Sequence, residues 1–368
     1  MSMSVQQRKY KSVLVRMISY LDGVVYDIDV EFSKERLNEL QPEDLMRYFY
    51  FKTFGSENPT EEQKQRPKLR SSCIEFWKKA LSYFMPNRLM HWDDMGKRGN
   101  PTRSILVNNF IKLLKKLEVK KLGIESKARR AMTEVEFKKI KEVCYKKAED
   151  QDQRSATISR YGVAAQMNFQ FHMLARLDDT CNVPRENIKV HPNFKFALVT
   201  RLNWAKNCNE ERDAPWQIML GSLDSSFCVL ISLALWLVTF FRELPYAKLS
   251  PYVFGFSPDC RFPEGGTSSK QVIRKIIALA IKAMENLIGL LGAHSVRKFG
   301  ATRVRQCGAT KDDRDVRGRW KRKRSVGDVY DDVELPWPDT KLATYLCIGG
   351  PCKKYKIKPE NGINDNFI

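Results

Sequence analysis

One run limits most narrowly how this chain can fold: Phe227 to Phe241, FCVLISLALWLVTFF, carries no charge along its whole length. A helix that spans a bilayer needs roughly 20 apolar residues, so this shorter run must find its apolar surroundings inside a folded domain. It predicts a buried central helix and no membrane association. The 368 residues of the chain exceed what one hydrophobic core usually supports, and two domains are expected. With 43% hydrophobic and 11% aromatic residues there is enough apolar material for both.

The first 130 residues read as helical. Pro42-Glu43-Asp44 places a proline and two acids where a helix begins, ahead of LMRYFYFKTF. GSENPTEEQKQRP, from Gly55 to Pro67, is a polar loop. Ile74, Trp77, Ala80, Leu81 and Phe84 recur at helical spacing, as do Ile105, Phe110, Leu113, Leu114 and Leu117. A second domain opens at Thr133, where Thr133 and Glu136 form a capping-box pattern ahead of FKKIKEVCYKKAEDQ. Helix resumes from Tyr161 to Leu177. β-Branched and aromatic residues at Ile188–Val190, Phe194–Val199 and Arg201–Trp204 predict strands, and helices return at Phe227–Glu243 and Ser269–Leu291. The expected fold class is mainly α. A helical domain covers residues 1–130, an α-rich domain with a small antiparallel β-sheet covers 131–340, and 341–368 form a tail.

The charge is lopsided, with 64 Lys and Arg against 43 Asp and Glu and a formal net charge of +21. Such a field attracts polyanions, nucleic acid foremost. It is also clustered: nine Lys or Arg and two Glu lie between Arg103 and Arg130, and ten Lys or Arg with three Asp between Arg303 and Arg324. The first cluster reaches the domain junction KLGIESKARR, where a basic linker is placed to lie across a phosphate backbone. Arg103, Lys112, Lys115, Lys116, Arg129 and Arg130 are the cations expected on a duplex there, joined by Arg319 and Lys321 from the second cluster. The stretch RWKRKR also has the composition of a nuclear import signal. Nine cysteines, an odd number without paired short spacings through most of the chain, predict reduced thiols in the nucleus or cytosol. The opening MSMSVQQRKYKS lacks the apolar core of a secretory signal. Cys347 and Cys352, without histidines nearby, make a poor zinc site.

His294 and Arg297 stand three residues apart in LGAHSVRKFGAT. On a helix that step puts imidazole and guanidinium on one face, where two cations repel unless an anion sits between them. Phosphate suits, because the arginine fork donates two parallel hydrogen bonds. Alone, an H-x-x-R is also what an ordinary polar helix start looks like. It is accompanied by Arg176 in MLARLDDTC, Lys206 in LNWAKN, Trp320 in RGRWKRKR and Tyr330 in SVGDVYDDV.

In that order and spacing the six positions resemble the tyrosine recombinase, or phage integrase, superfamily. Its pattern is an Arg with an acid three residues later, a Lys on a β-turn, an H-x-x-R, a His or Trp, and a Tyr about ten residues on. Here Asp179 follows Arg176 by three residues and Tyr330 follows Trp320 by ten. RDAP, from Arg212 to Pro215, looks like the strand after the lysine hairpin. The detail is most similar to recombinases of eukaryotic Crypton-like mobile elements. The resemblance implies a core-binding domain followed by a catalytic domain, double-stranded DNA as partner, and a homo-tetramer working on two DNA sites. It implies nuclear residence in a eukaryote and cytoplasmic residence otherwise, and neither metal nor cofactor.

The implied catalytic set is Tyr330 as nucleophile, Arg176, Arg297 and His294 around the phosphate, Lys206 as the acid for the leaving 5′ oxygen, and Trp320 packed against the site. A free phenol, with a pKa of about 10, is a poor nucleophile at neutral pH and needs these cations. Asp328, Asp331 and Asp332 beside Tyr330 oppose its ionisation, which makes basic partners in the folded site necessary. Lys189 and Lys195 lie close enough to compete with Lys206 for its assignment. Two other readings fit the same residues. One is a catalytically retired, transposon-derived DNA-binding protein; the other is a type IB topoisomerase with the same chemistry.

Overall fold

The computed structural model describes residues 3–146, 154–192, 194–243, 251–255, 267–284, 287–320, 337–353, 356–358 and 362–364. The chain divides into two compact units, Met1–Lys127 and Ala128–Ile368.

The first unit is helical: α1 (Val5–Asp22), α2 (Lys34–Asn38), α3 (Pro42–Phe54), α4 (Glu61–Gln65), α5 (Ser71–Phe84) and α6 (Ile105–Val119). Pro42 opens α3 as the sequence requires, its missing N–H falling where a helix has no partner for one, and Asp44 reaches back to the N–H of Gln41 at 3.0 Å. Leu14, Ile18, Leu45, Phe49, Ile74, Leu81, Val107, Phe110 and Leu114 make its core. Each such side chain contributes roughly 1.5–3 kcal/mol by leaving water. In α6 the buried stripe is Val107, Phe110, Ile111 and Leu114. Ile105 and Leu113, expected inside, are 67% and 39% exposed, because they flank that stripe rather than lie in it.

The second unit contains α7 (Glu134–Lys146), α8 (Arg154–His172), α9 (Leu177–Cys181), α10 (Val229–Glu243), α11 (Thr267–Lys282), α12 (Ala293–Gln306), α13 (Lys311–Arg317) and α14 (Trp337–Tyr345). Its antiparallel sheet has the order β1 (Ile188–Val190), β2 (Ala197–Thr200), β3 (Gln217–Leu220). In its register Lys189 lies opposite Val199, and Val199 opposite Ile218. A separate hairpin pairs β4 (Lys356–Lys358) with β5 (Gly362–Asn364). The fold is therefore mainly α with a small antiparallel sheet, as expected.

Its details correct several expectations. Arg201–Trp204 is a turn and RDAP starts in a 3-10 turn that ends at Asp213, while the third strand is QIML at 217–220. Those four residues are all buried, so no alternation marks them as a strand. The helix expected to reach Leu291 stops at Lys282. The unit also continues past residue 340: Leu342, Ala343, Leu346 and Cys347 are buried, and Ala343 and Cys347 pack with Val199 and Ile218 of the sheet.

The apolar run became α10, yet it is not the central helix. Val229, Leu233, Trp236 and Phe240 are buried, whereas Ile231 is 55% and Val238 65% exposed. The centre belongs to α8, whose residues 162–172 are buried on every side. Its polar side chains tie neighbouring helices to it: Gln166 Nε2 donates to Thr180 Oγ1 at 2.7 Å, and Gln170 Nε2 to the Ala293 carbonyl at 3.0 Å. No described helix is long and apolar enough to cross a membrane.

His172, fully buried, shares a 2.9 Å hydrogen bond with the Phe227 carbonyl. Burial pushes its imidazole down to about 3, against the Phe227 bond and with Arg317 and Lys141 acting alongside burial. The unfolded chain takes up that proton near the ordinary histidine value of about 6.5, so stability is complete above it and falls as pH drops toward 3. The loss from this group is at most about 1.4 kcal/mol per pH unit. Urea midpoints measured between pH 7 and pH 5 should decline, and His172→Gln should flatten the decline; an unchanged slope in the variant would remove His172 from this role.

Candidate active site

Arg176 owes its position to a break in the chain. α8 ends at His172, Leu174 turns the backbone through the left-handed region at φ 43°, and Arg176 becomes the N-cap of α9. Its backbone N–H donates to Asp179 Oδ2 at 3.0 Å, which explains the acid three residues on: Asp179 closes the turn and is 3% exposed. The Arg176 side chain is half-buried, and its Nη1 is enclosed without an acceptor.

His294 and Arg297 occupy the first turns of α12. Gly300 sets this helix against the end of α8, since a Cβ there would lie 2.6 Å from the Phe171 carbonyl oxygen and 2.5 Å from Leu174 Cδ2. His294 is exposed and Arg297 is 2% exposed. Arg297 Nη2 donates to the Gly318 carbonyl at 2.6 Å, the guanidinium lies 4.7 Å from the Trp320 ring centroid, and Nε has no acceptor. A Cβ on Gly318 would meet the Trp320 ring at 2.2 Å, so glycine at 318 makes the space in which Trp320 supports Arg297.

Arg319, expected along the duplex, is instead 4% exposed. With φ at 51° its side chain turns inward. Nη1 donates to Gln217 Oε1 and Nη2 to the Met173 carbonyl at 2.8 Å, while Nε has no acceptor. A guanidinium held this way cannot lie on a solvent-facing backbone; it forms a third cation beside Arg176 and Arg297. Burial pushes Arg297 down to about 9, and the charges of Arg176 and Arg319 push the same way while Asp179 opposes them. Burial likewise pushes Arg319 down to about 10. Desolvation, then Arg297, Lys298, Arg176 and Arg129, hold His294 below its ordinary value, so it is neutral at pH 7 when the site is empty of anions.

Lys206 is exposed in the loop between β2 and β3, and Lys189 sits in β1 over the Trp216 ring at 4.9 Å. Tyr330 and Lys321 lie outside the described residues. Arg129 joins Arg176, Arg274, Lys282 and His294 around a cavity of about 620 Å³, its apolar wall including Leu177, Ile277 and Leu291. Arg130 is corrected as well: its guanidinium is bound to Glu136, which in turn accepts from the Thr133 N–H at 2.8 Å. Arg130 heads the forces that hold Glu136 down at about 2, and the pair fixes the start of α7.

In the first unit Lys112 and Lys116 are exposed on α6, and Lys115 pairs with Glu75 at 2.6 Å. Arg103 lines a cavity of about 660 Å³ with Lys78, Lys79, Arg88 and His91, a basic hollow the sequence reading missed. Besides Arg103, the KK pair in FWKKALSYF was its visible sign. Burial and the Arg103 charge lower Lys78. Among the described residues, no three His, Cys, Asp or Glu side chains converge as metal ligands would.

No family model matches the sequence, and no curated protein matches it. Among solved structures the chain is similar to a lambda integrase tetramer bound to a Holliday junction, with 12% identity and a TM-score of 0.40, covering 90% of this chain and 79% of that one. A lambda integrase(75-356) dimer bound to a COC′ core site gives 12% identity and a TM-score of 0.39, covering 91% of this chain and 100% of the other. XerA recombinase gives 14% identity and a TM-score of 0.33, covering 88% of this chain and 96% of the other. Similarities this remote assign no family.

Proposed function

We propose that this chain cleaves and rejoins double-stranded DNA at specific sites through a covalent phosphotyrosine at Tyr330. The observation that carries the reading is the pair of enclosed, unpartnered nitrogens, Arg176 Nη1 and Arg297 Nε, in a cluster of three guanidiniums facing Asp179. Buried donors without acceptors and like charges pressed together are both costly, and a phosphodiester relieves both. Arg176 and Arg297 would bind the non-bridging oxygens and stabilise the charge that grows on them as phosphorus becomes five-coordinate. His294, its proton affinity raised by the bound anion, would donate a further hydrogen bond, and Trp320 would hold the Arg297 fork flat.

The phenolic oxygen of Tyr330 would form the new bond to phosphorus, its proton passing to solvent. The bond to the 5′ oxygen would break, with Lys206 Nζ protonating that oxygen; the 3′ phosphate stays on the protein until the reverse reaction rejoins the strand. On the same reading the domain of residues 1–130 clamps the duplex through Arg103 and its basic hollow and through Lys112, Lys115 and Lys116. Lys321 and Arg129 would lie nearer the reacting phosphate. A tetramer on two sites, a nuclear location in a eukaryote or a cytoplasmic one otherwise, and descent from a Crypton-like mobile element complete the proposal.

Covalent attachment is the test: the protein is incubated with nicked duplexes and run on a denaturing gel. An adduct that Tyr330→Phe abolishes supports the reading. Tight, salt-sensitive binding without an adduct selects the retired, DNA-binding alternative. Relaxation of a supercoil without strand exchange between two duplexes selects a topoisomerase.

A further inference from the structure

The loop that joins β2 to β3 is braced throughout. At its base Arg201 Nε donates to the Ala214 carbonyl at 2.6 Å, and Nη1 pairs with Glu211 at 3.0 Å. Asp213 Oδ2 accepts from the N–H groups of Asn209 and Glu210 at 2.8 and 3.1 Å. Its middle is fastened to the arginine cluster at two points. Trp204 Nε1 donates to the carbonyl of Asp179 at 2.9 Å, and Asn207 Nδ2 donates to the carbonyl of Arg319 at 3.0 Å. Between those anchors stand only Ala205, which is buried, and Lys206, which is exposed. A free lysine on a surface loop needs no such fixings: Lys206 is the one exposed residue between two hydrogen bonds, made to the two segments that carry Arg176 and Trp320.

We infer that Trp204 and Asn207 are positioning residues, which hold Lys206 at the leaving oxygen of the phosphate bound by Arg176 and Arg297. The inference rests on the proposed cleavage reaction and assigns its acid delivery to these two bonds. A proton donor must sit within hydrogen-bond reach of its acceptor, and a lysine stem is long and flexible, so fixing the backbone on both sides removes most of the wandering that would slow transfer. Asn207 is the cleaner residue to change, because its half-buried amide reaches Arg319 through the backbone carbonyl alone.

The measurement is single-turnover cleavage of a nicked duplex, in its ordinary form and with the 5′ bridging oxygen at the scissile phosphate replaced by sulfur. A thiolate leaves without protonation, so the sulfur substrate bypasses the acid. Lys206→Ala is expected to slow the ordinary substrate by roughly 100-fold or more, and Asn207→Ala by about 10- to 100-fold. On the sulfur substrate both should come within about 3-fold of the parent, while Arg297→Ala remains slow on both because it acts on the non-bridging oxygens. Adding Asn207→Ala to Lys206→Ala should cost nothing further. An Asn207→Ala protein equally slow on both substrates, or as fast as the parent on the ordinary one, overturns the inference. A parent that forms no adduct with either substrate overturns the cleavage reading itself.

Discussion

On a nicked duplex the parent protein is expected to accumulate a covalent adduct, Tyr330→Phe to form none, and Arg297→Ala to form it about 1,000-fold more slowly. The reason lies in where Arg297 sits. It is 2% exposed, bonded to the Gly318 carbonyl, stacked on Trp320 and flanked by Arg176 and Arg319, with Nε unoccupied. Such a group contributes little to docking the duplex, which surface cations manage, and much to a charge that develops at one buried point. Equilibrium binding by Arg297→Ala should therefore change far less than its rate. Arg297→Lys should not restore the rate, since an ammonium can neither stack on Trp320 nor make the bonds of a planar fork. Arg297→Ala should unfold no more easily than the parent when DNA is absent, because it relieves the repulsion from Arg176 and Arg319. If Arg297→Ala weakens binding and cleavage in equal proportion, its role is in docking and not in the chemical step.

Asp339→Ala is expected to lower the unfolding free energy by about 3–5 kcal/mol. Arg317 is 0% exposed and donates to Asp339 Oδ1 at 2.5 Å, to the His172 carbonyl at 2.9 Å and to the Ile218 carbonyl at 2.9 Å. Asp339 Oδ2 accepts from the Ile218 N–H at 2.6 Å. Removing the carboxylate leaves a guanidinium in the interior without its counter-charge, whereas changing both members to apolar residues leaves none. The double variant Arg317→Met with Asp339→Leu should thus recover a large part of the loss. Denaturant midpoints for the single and double variants decide the matter: a loss under about 1 kcal/mol for Asp339→Ala would show the pair to be dispensable.

Features that depend on near neighbours in the chain were legible without a structure. Pro42 and Asp44 at the head of α3, Thr133 with Glu136 at the head of α7, and the step from His294 to Arg297 on α12 all involve groups three or four residues apart. The mainly helical class followed from the same short-range periodicity. The sequence also placed Arg176, His294, Arg297 and Trp320 in one pattern, and these are the residues that the described chain brings together.

What tertiary structure alone decided concerns partners distant in sequence. The apolar run promised the central helix, but that place went to α8, whose Gln166, Asn168 and Gln170 amides donate to α9, α10 and α12. Arg317, Arg319 and Trp320 share one short basic stretch, yet the first is locked to Asp339, the second turns in to Met173 and Gln217, and the third supports Arg297. Composition treats the stretch as surface charge. A charge leaves the surface only where the fold supplies acceptors for it, and those acceptors come from residues more than a hundred positions upstream, as with Met173 and Gln217, or from beyond the segment that follows, as with Asp339.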